Sequence, residues 1–581
     1  MRSHIHPRFH TYRSLAFILI MLTALAAFAQ VPAGGVPVMP PNPQAKSADW
    51  WKHAVVYEIY PRSFGDSNND GTGDLAGITE HLDYLAKLGV DAIWLTPMFP
   101  SPQVDFGYDV SDYRNVDPQY GTLDDFDRLV KEAHQRGIKI ILDFVVNHSS
   151  DQHAWFKASQ ESKNSPYRDY YIWRDGRGGN QPPNNWTSIF GGSSWKYDEK
   201  TGQYYYHFFY PEQPDLNWRN PKVQREMLDT MRWWYKRGVF GFRLDAVDSM
   251  FEDPALADNP REEGVDAYGV PKQQHLHDHS IPEVHAELQK MRQVTDEYRG
   301  RVLIGETWTS NPQQLAEYYG PHNNELQMPM YFNFTTINRL DAAAFREKIE
   351  AVELNPAVSW PVFVLSNHDI HRQVDRYAPA GTDKDKVAKL LAGMYLTLRG
   401  TPIMYYGEEL GMQNNDPVRR EDVKDVIGQK GWPTEKGRDG ERTPMQWTAA
   451  VNAGFNKGAK PWLPVGGDYV TRNVEVEMAD ASSVLNWYRQ MIRLRRENAA
   501  IAEGDYHTAT VTNPEVLAYT RSAKGKTVLV LLNLGQGDQR IALNAALAPH
   551  KLTVLAATGA PEATRTQVLL QGFGVVVAEV E

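Results

Sequence analysis

The sequence predicts an α/β fold: a (β/α)8 TIM barrel carrying an irregular subdomain inserted after strand three, followed by a C-terminal antiparallel β-sandwich. Three observations predict it. From Trp50 onward, short β-rich runs alternate with stretches whose apolar residues recur at helical spacing, and eight such pairs can be counted. The alternation lapses once, for about seventy residues rich in Tyr, Trp, Asn, Gly and Pro, too long for an ordinary connection. Beyond about Gly504 the apolar period becomes two, with Gly and Asp turns between runs.

Strand one is expected at Val55 to Phe64, and the helix after it at Leu75 to Gly89, with Leu75, Ile78, Leu82, Leu85 and Leu88 on one side. Strand two is Val90 to Phe99. Helix two runs from Thr122, an N-cap residue, to Gly137, and strand three is Ile138 to Val146. After the insertion come helix Pro221 to Gly238, the strand opening at Val239, helix Ile281 to Arg299 and strand Val302 to Trp308. Then follow helix Pro312 to Tyr319, strand Gln327 to Phe334, helix Ala342 to Leu354, strand Pro361 to Asn367, helix Lys384 to Leu398 and strand Pro402 to Tyr406. A last helix, Ala481 to Asn498, follows a second long insertion, and the tail has strands such as Val516 to Thr520, Thr527 to Leu534 and Gly574 to Val580. The domains expected are therefore barrel over 48–148, inserted subdomain over 149–217, barrel again over 218–502 and β domain over 503–581.

At 42% hydrophobic and 23% charged over 581 residues the chain is globular, and a net charge of −11 without a long basic run disfavours a nucleic-acid partner. Residues 1–29 have the pattern of a signal peptide: Arg2, Arg8 and Arg13, an apolar core from Leu15, and the small-residue exit Ala27-Phe28-Ala29. Residues 30–47 read as a Pro/Ala-rich linker. A periplasmic or secreted protein, free of the membrane after cleavage, is expected; with no cysteine it must rely on its core rather than on disulfides.

Chemistry collects where barrel strands end. Those ends carry Asp143, Asn147 and His148 after strand three, Arg243 and Asp245 after four, Glu306 after five, and His368 and Asp369 after seven. In VFGFRLDAVDSM (Val239 to Met250) strand alternation puts Phe242 and Leu244 on one face and Arg243 with Asp245 on the other, so the guanidinium should favour an anionic Asp245. Paired carboxylates with histidines and abundant aromatic rings suit acetal hydrolysis, one carboxylate attacking while another protonates the leaving oxygen. No phosphate-binding glycine loop and no serine or cysteine nucleophile elbow is present.

These stretches resemble the α-amylase family of glycoside hydrolases, in its α-glucosidase and oligo-1,6-glucosidase branch. The resemblance rests on DFVVNH (Asp143 to His148), GFRLDAV (Gly241 to Val247), GETW (Gly305 to Trp308), SNHD (Ser366 to Asp369), QPDLNW (Gln213 to Trp218) and RTPMQW (Arg442 to Trp447). It implies Asp245 as nucleophile, Glu306 as general acid and base, and Asp369 as the residue gripping sugar hydroxyls, with Arg243, His148 and His368 in support. Tyr108 matches the stacking tyrosine beneath the bound sugar and Phe209 an aromatic of the inserted subdomain, while Asp105 and Arg442 are expected to close the pocket around the terminal 4-hydroxyl. The implied activity is retaining hydrolysis of short oligosaccharides or disaccharides from the nonreducing end. Ala246, leaving more room than the valine that accompanies α-1,6 cleavage, implies an α-1,4 preference. Alternatives are an oligo-1,6-glucosidase, a transglucosidase or isomerase on the same site, and a non-catalytic binding subunit.

After strand one, DSNNDGTGD places Asp66, Asn68, Asp70 and Asp74 at alternating positions around glycine, a pattern that suits Ca²⁺ or Mg²⁺, although Gly77 stands where an EF-hand would close with Glu. The resemblance implies a structural metal held by these side chains and the Thr72 carbonyl.

Overall fold

The computed structural model describes residues 39, 42, 44–543, 550–564 and 566–581; the signal-peptide assignment and two thirds of the linker assignment lie outside those residues. The centre is a parallel sheet of eight strands: Val56–Ile59, Ala92–Leu95, Lys139–Val145, Gly241–Asp245, Val302–Gly305, Met328–Tyr331, Val362–Phe363 and Ile403–Tyr405, taken below as strands one to eight. Strand one lies between two and eight, with Val56 opposite Ala92 on one side and Ile403 on the other, and the order then runs through to seven. Strands seven and eight meet at their starts, where Thr401 N–H donates to Pro361 O at 3.3 Å and Trp360 Nε1 donates to Thr401 Oγ1 at 2.9 Å.

Both faces of this sheet are buried, so its sequences read as continuous apolar runs. One face contributes Val56, Trp94, Ile141, Ile304, Met330, Val362 and Ile403 to a single cluster that fills the barrel. The alternate residues, among them Tyr57, Ile93, Leu142, Phe242, Leu244 and Leu303, join the larger cluster beneath the helices. Phe242 and Leu244 thus face away from Arg243 and Asp245, as the alternation requires.

Helix two, Leu123–Gln135, starts as expected: Thr122 Oγ1 accepts from Asp125 N–H while the Asp125 carboxylate accepts from Thr122 N–H. Strand one stops at Ile59, earlier than expected, because Pro61 has no N–H for a ladder and opens the helical turn Pro61–Phe64 instead. The first helix is two, Leu75–Glu80 and Leu82–Leu88, meeting at His81. The inserted subdomain is less irregular than its composition suggests: it holds the helix Ala154–Glu161 and a three-stranded antiparallel sheet of Trp173–Arg174, Gln203–Tyr206 and Trp195–Asp198. Its aromatic residues are its core, with Trp186, Trp195, Tyr204, Tyr206 and Phe208 packed together. An exposed hairpin after strand four, Arg261–Val265 with Pro271–Gln273, had no signal in the pattern.

The C-terminal domain is the antiparallel sandwich expected. A five-stranded sheet faces a three-stranded one, and Leu529, Leu531 and Val576 of the first pack with Ile541, Val568 and Leu570 of the second. The other face of the five-stranded sheet, with Val528, Val530 and Val577, joins the core under the barrel helices. No described helix is long and apolar enough to cross a membrane.

Candidate active site

Strand register assembles the centre. Asp143 on strand three pairs with Arg243 on strand four, and Arg243 with Ile304 on strand five, so Glu306, two residues further on, arrives beside the end of strand four. Arg243 is completely buried. Its Nη1 donates to Asp143 at 3.0 and 3.1 Å and to Asp245 Oδ1 at 2.5 Å, and its Nη2 stands 2.8 Å from Glu306 Oε2 as an ion pair. Glu306 is fixed from two further sides: Ala246 N–H donates to Oε2 at 2.9 Å and Trp308 Nε1 to Oε1 at 3.0 Å. The Ala246 bond depends on its backbone, which turns left-handed there with φ of 44°.

One guanidinium therefore serves three carboxyl groups. Burial pushes the Asp245 carboxyl well above the usual carboxylate range, Glu306 and Asp143 add to this, and Arg243 opposes it. The expectation of a simple Arg–Asp pair with a stable anion is corrected accordingly: strand alternation reveals the cation beside Asp245 but not the two other acids that compete for it.

Asp369 is the reverse case. Burial would raise it, but His368, Arg438 and Arg442 together hold it well below its ordinary value. His368 is itself wedged between acids, Nδ1 at 2.6 Å from Glu58 Oε1 and Nε2 at 3.2 Å from Asp369 Oδ2. Burial works against its charge, but Asp369 and Glu58 raise its pKa to about 9. Tyr108 stacks on His368 with ring centroids 5.4 Å apart, and its hydroxyl lies 2.6 Å from His368 Nε2 and 3.1 Å from Asp143 Oδ2. His148, with Nδ1 2.9 Å from Asn147 Oδ1, is held neutral by burial, its pKa lowered to about 3.

These groups border a cavity of about 360 Å³ lined by Asp105, Tyr108, His148, Phe209, Asp245, Glu306 and Asp369 among others. Seven of the ten expected site residues are on its wall, and Arg243 and His368 stand directly behind. The tenth, Arg442, is a correction. It does not meet Asp105; its Nε donates to His368 O and its Nη2 to Asp369 Oδ1, both at 2.7 Å, and it is fully buried outside the cavity wall. The partner of Asp105 is Arg438, whose Nη2 donates to Asp105 Oδ1 at 2.6 Å, Nη1 to Asp369 Oδ1 at 2.9 Å and Nε to Asp425 Oδ2 at 2.8 Å. Both arginines belong to one stretch, GRDGER, and the sequence offers no way of telling which reaches the pocket.

Sequence reasoning also passed over the rim. Ile189 and Trp308 are about half exposed there, at 50% and 48%, beside Phe190 and Phe208. Trp308 stacks on Phe332 with centroids 4.3 Å apart. Asp248 and His279 face the same opening, 3.2 Å apart, and Asp248 Oδ2 also accepts Trp308 N–H. Glu58 had no signal either, lying inside an apolar strand.

In the loop after strand one the oxygen donors are of the type hard cations take. Asp66 is committed: its two oxygens accept N–H from Asn69, Asp70 and Gly71 and the Asn456 amide. Asp74 caps the next helix through Gly77 N–H and bonds Ser67. Asn68 and Asp70 are exposed and bonded within the loop: Asp70 accepts from Asn68 Nδ2 and Thr72 N–H, and Asn68 Oδ1 accepts from Asp70 N–H.

The Alpha-amylase family profile, described as alpha amylase, catalytic domain, matches residues 58–504. The chain belongs to the α-amylase family. Among its relatives is a probable alpha-glucosidase of Rhizobium meliloti (strain 1021), 42% identical over 495 residues that cover 84% of this chain and 89% of the relative. The oligo-1,6-glucosidase of Parageobacillus thermoglucosidasius is 40% identical over 516 residues, covering 84% and 91%. The crystal structure of the alpha-glucosyl transfer enzyme XgtA superposes with a TM-score of 0.86 at 40% identity, covering 92% of this chain and 99% of that one. In this α-amylase family member the strand-end motifs named from the sequence, DFVVNH, GFRLDAV, GETW and SNHD, supply the buried Asp143, Arg243, Asp245 and Glu306 and the partly exposed Asp369.

Proposed function

We propose that this protein is an exported retaining α-glucosidase that releases glucose from the nonreducing end of short α-glucosides, favouring α-1,4 linkages. The observation that carries this reading is that Asp245 and Glu306 are presented on opposite nitrogens of one buried guanidinium at the wall of a small cavity. Asp245 attacks the anomeric carbon as a carboxylate, the form that its 2.5 Å contact with Arg243 favours against burial and the neighbouring acids. Glu306 gives its proton to the glycosidic oxygen, so the carbon–oxygen bond breaks as the glucosyl ester forms and the leaving sugar departs as an alcohol. Water then adds to the same carbon, Glu306 takes its proton, and Asp245 is released with the anomeric configuration retained. Asp369, anionic between His368 and two arginines, accepts hydrogen bonds from sugar hydroxyls, and Arg438 and Asp105 meet the terminal hydroxyl.

Product analysis on maltose with NMR detection tests it: α-glucose is expected first, and Asp245→Asn or Glu306→Gln should lower kcat by several orders of magnitude with circular dichroism unchanged. Near-normal turnover in either variant, or β-glucose as first product, overturns the assignment. Transfer of the glucosyl group to a sugar instead of water is the second reading, favoured by the likeness to XgtA and by the half-exposed Trp308 and Ile189, which offer an acceptor an apolar rim. Export rests on the composition of residues 1–29.

We also propose a structural Ca²⁺ or Mg²⁺ in the loop after strand one, held by the side chains of Asp66, Asn68, Asp70 and Asp74 and the Thr72 carbonyl. Such an ion supplies loop rigidity and no chemistry. Adding Ca²⁺ or Mg²⁺ to the chelator-stripped protein should raise the melting temperature by several degrees and leave initial rates at 25 °C nearly unchanged, a rise that Asp70→Asn should abolish. Equal melting curves with and without chelator and added Ca²⁺ or Mg²⁺ would refute it.

A further inference from the structure

Two residues beyond Asp369, the chain carries His371 to the surface, where its side chain is 46% exposed and its Nε2 stands 3.9 Å from Glu441 Oε2. Asp416 completes a set: one ligand atom each from His371, Asp416 and Glu441 lie within 4.8 Å of one another, the one such group among the described residues. Neither the catalytic reading nor the loop after strand one uses any of the three.

Two independent features point to a ligand. Glu441 is 1% exposed, yet its Oε1 has no hydrogen-bond partner. An unpaired carboxylate oxygen at that depth is costly, a cost that either a proton, favoured by burial, or a bound cation relieves. The neighbouring cations are engaged elsewhere: the Arg442 guanidinium bonds His368 O and Asp369, and Arg372 Nη2 takes the Glu441 main-chain carbonyl. Second, the acids are deliberately set side by side. The Asn414 amide donates to Asp416 Oδ1 and to Glu441 Oε2, both at 3.1 Å, and a Cβ on Gly440 would stand 1.9 Å from Asp416 Oδ1, so any side chain there would displace the Asp416 carboxylate. The 3.9 Å gap between His371 and Glu441 is too long for a hydrogen bond, but two ligands each about 2.0–2.2 Å from a shared metal can span it.

We propose that His371, Asp416 and Glu441 form a binding site for a first-row divalent cation of the Zn²⁺ or Mn²⁺ class. One imidazole with two carboxylates suits these ions, with water completing the coordination, whereas Ca²⁺ takes six to eight oxygens. The site ties the segment after strand seven, which carries Asp369, to the stretch from Arg438 to Arg442, which holds Asp369 in place. A bound ion thereby braces the end of the substrate pocket without touching sugar.

The test uses the whole protein, stripped with chelator, dialysed and titrated with Zn²⁺ and with Co²⁺ as a spectroscopic stand-in, reading bound metal by elemental analysis, Co²⁺ visible absorption and melting temperature. One equivalent bound, with a rise in melting temperature, is expected. Affinity should fall at least tenfold in His371→Ala, a half-exposed position where folding is not at risk, and in Glu441→Gln, while Asp70→Asn in the loop after strand one should leave it unchanged. Zn²⁺ binding that survives both His371→Ala and Glu441→Gln, or no stoichiometric binding to the unmodified protein, overturns the site.

Discussion

Ala246 concentrates two roles in one residue. It lines the cavity beside Asp245, and its left-handed backbone aims the N–H at Glu306. Valine there adds two methyls to the path of the leaving sugar and places a β-branched side chain at positive φ, where it is strained. The proposed α-1,4 preference therefore predicts maltose over isomaltose in kcat/KM for the unmodified enzyme. Ala246→Val should move the ratio about tenfold or more toward isomaltose, the scale on which a methylene discriminates, and lower kcat on both because Glu306 loses a fixed donor. Measuring both disaccharides with both proteins decides it, and an unmodified enzyme that prefers isomaltose contradicts the linkage claim. The spatial half of this was legible from GFRLDAV; the backbone half was not, since nothing in an alanine announces positive φ. Arg442 illustrates the same limit. Its motif marks a residue near the terminal hydroxyl, but four residues of an irregular loop separate it from Arg438, and only the folded loop reveals that Arg442 supports Asp369 while Arg438 reaches Asp105.

At the scale of elements, periodicity located every barrel strand and its helix, and the strand-end rule then gathered Asp143, Arg243, Asp245, Glu306 and Asp369 correctly. It failed where short elements carry no period, as in the four-residue strands of the inserted subdomain, and where a polar residue hides within an apolar strand, as Glu58 does in strand one. Glu58 joins strand one to the end of strand seven through His368. The folded pKa of His368, about 9, lies above its ordinary 6.5, so the stabilisation is fully present below pH 6.5 and is lost as the pH rises through 9. Of the groups facing His368, Asp369 and Glu58 favour its charge, and the Tyr108 hydroxyl shares Nε2. Melting temperature should accordingly decline between pH 6.5 and 9.5, and Glu58→Gln should flatten that decline while lowering stability at neutral pH. A pH profile identical in the two proteins removes the cross-barrel pair from the account.

Across the whole molecule, the end of the pocket is assembled from parts far apart in the chain. Asp105 comes from the loop after strand two, His148 from the end of strand three, Phe209 from the inserted subdomain, Asp369 from the end of strand seven and Arg438 from the long loop after strand eight. The Asp105–Arg438 ion pair lies across that end almost out of solvent, its side chains 6% and 11% exposed, and Gln213 Nε2 donates to the second Asp105 oxygen at 3.2 Å. A polysaccharide chain running through would have to part this pair and leave a charge buried without its partner, which costs several kcal/mol. The enzyme should therefore accept a single sugar beyond the scissile bond on the nonreducing side. Maltose and maltotriose should be cleaved far faster than soluble starch, with glucose as the released product. Asp105→Asn, which keeps the shape but unbalances Arg438, should raise KM for maltose more than it lowers kcat, since the terminal hydroxyl is bound in the ground state and the transition state alike. Release of maltose or longer fragments from starch at a rate matching that on maltose would mean that the pair opens during turnover and that the pocket is a cleft.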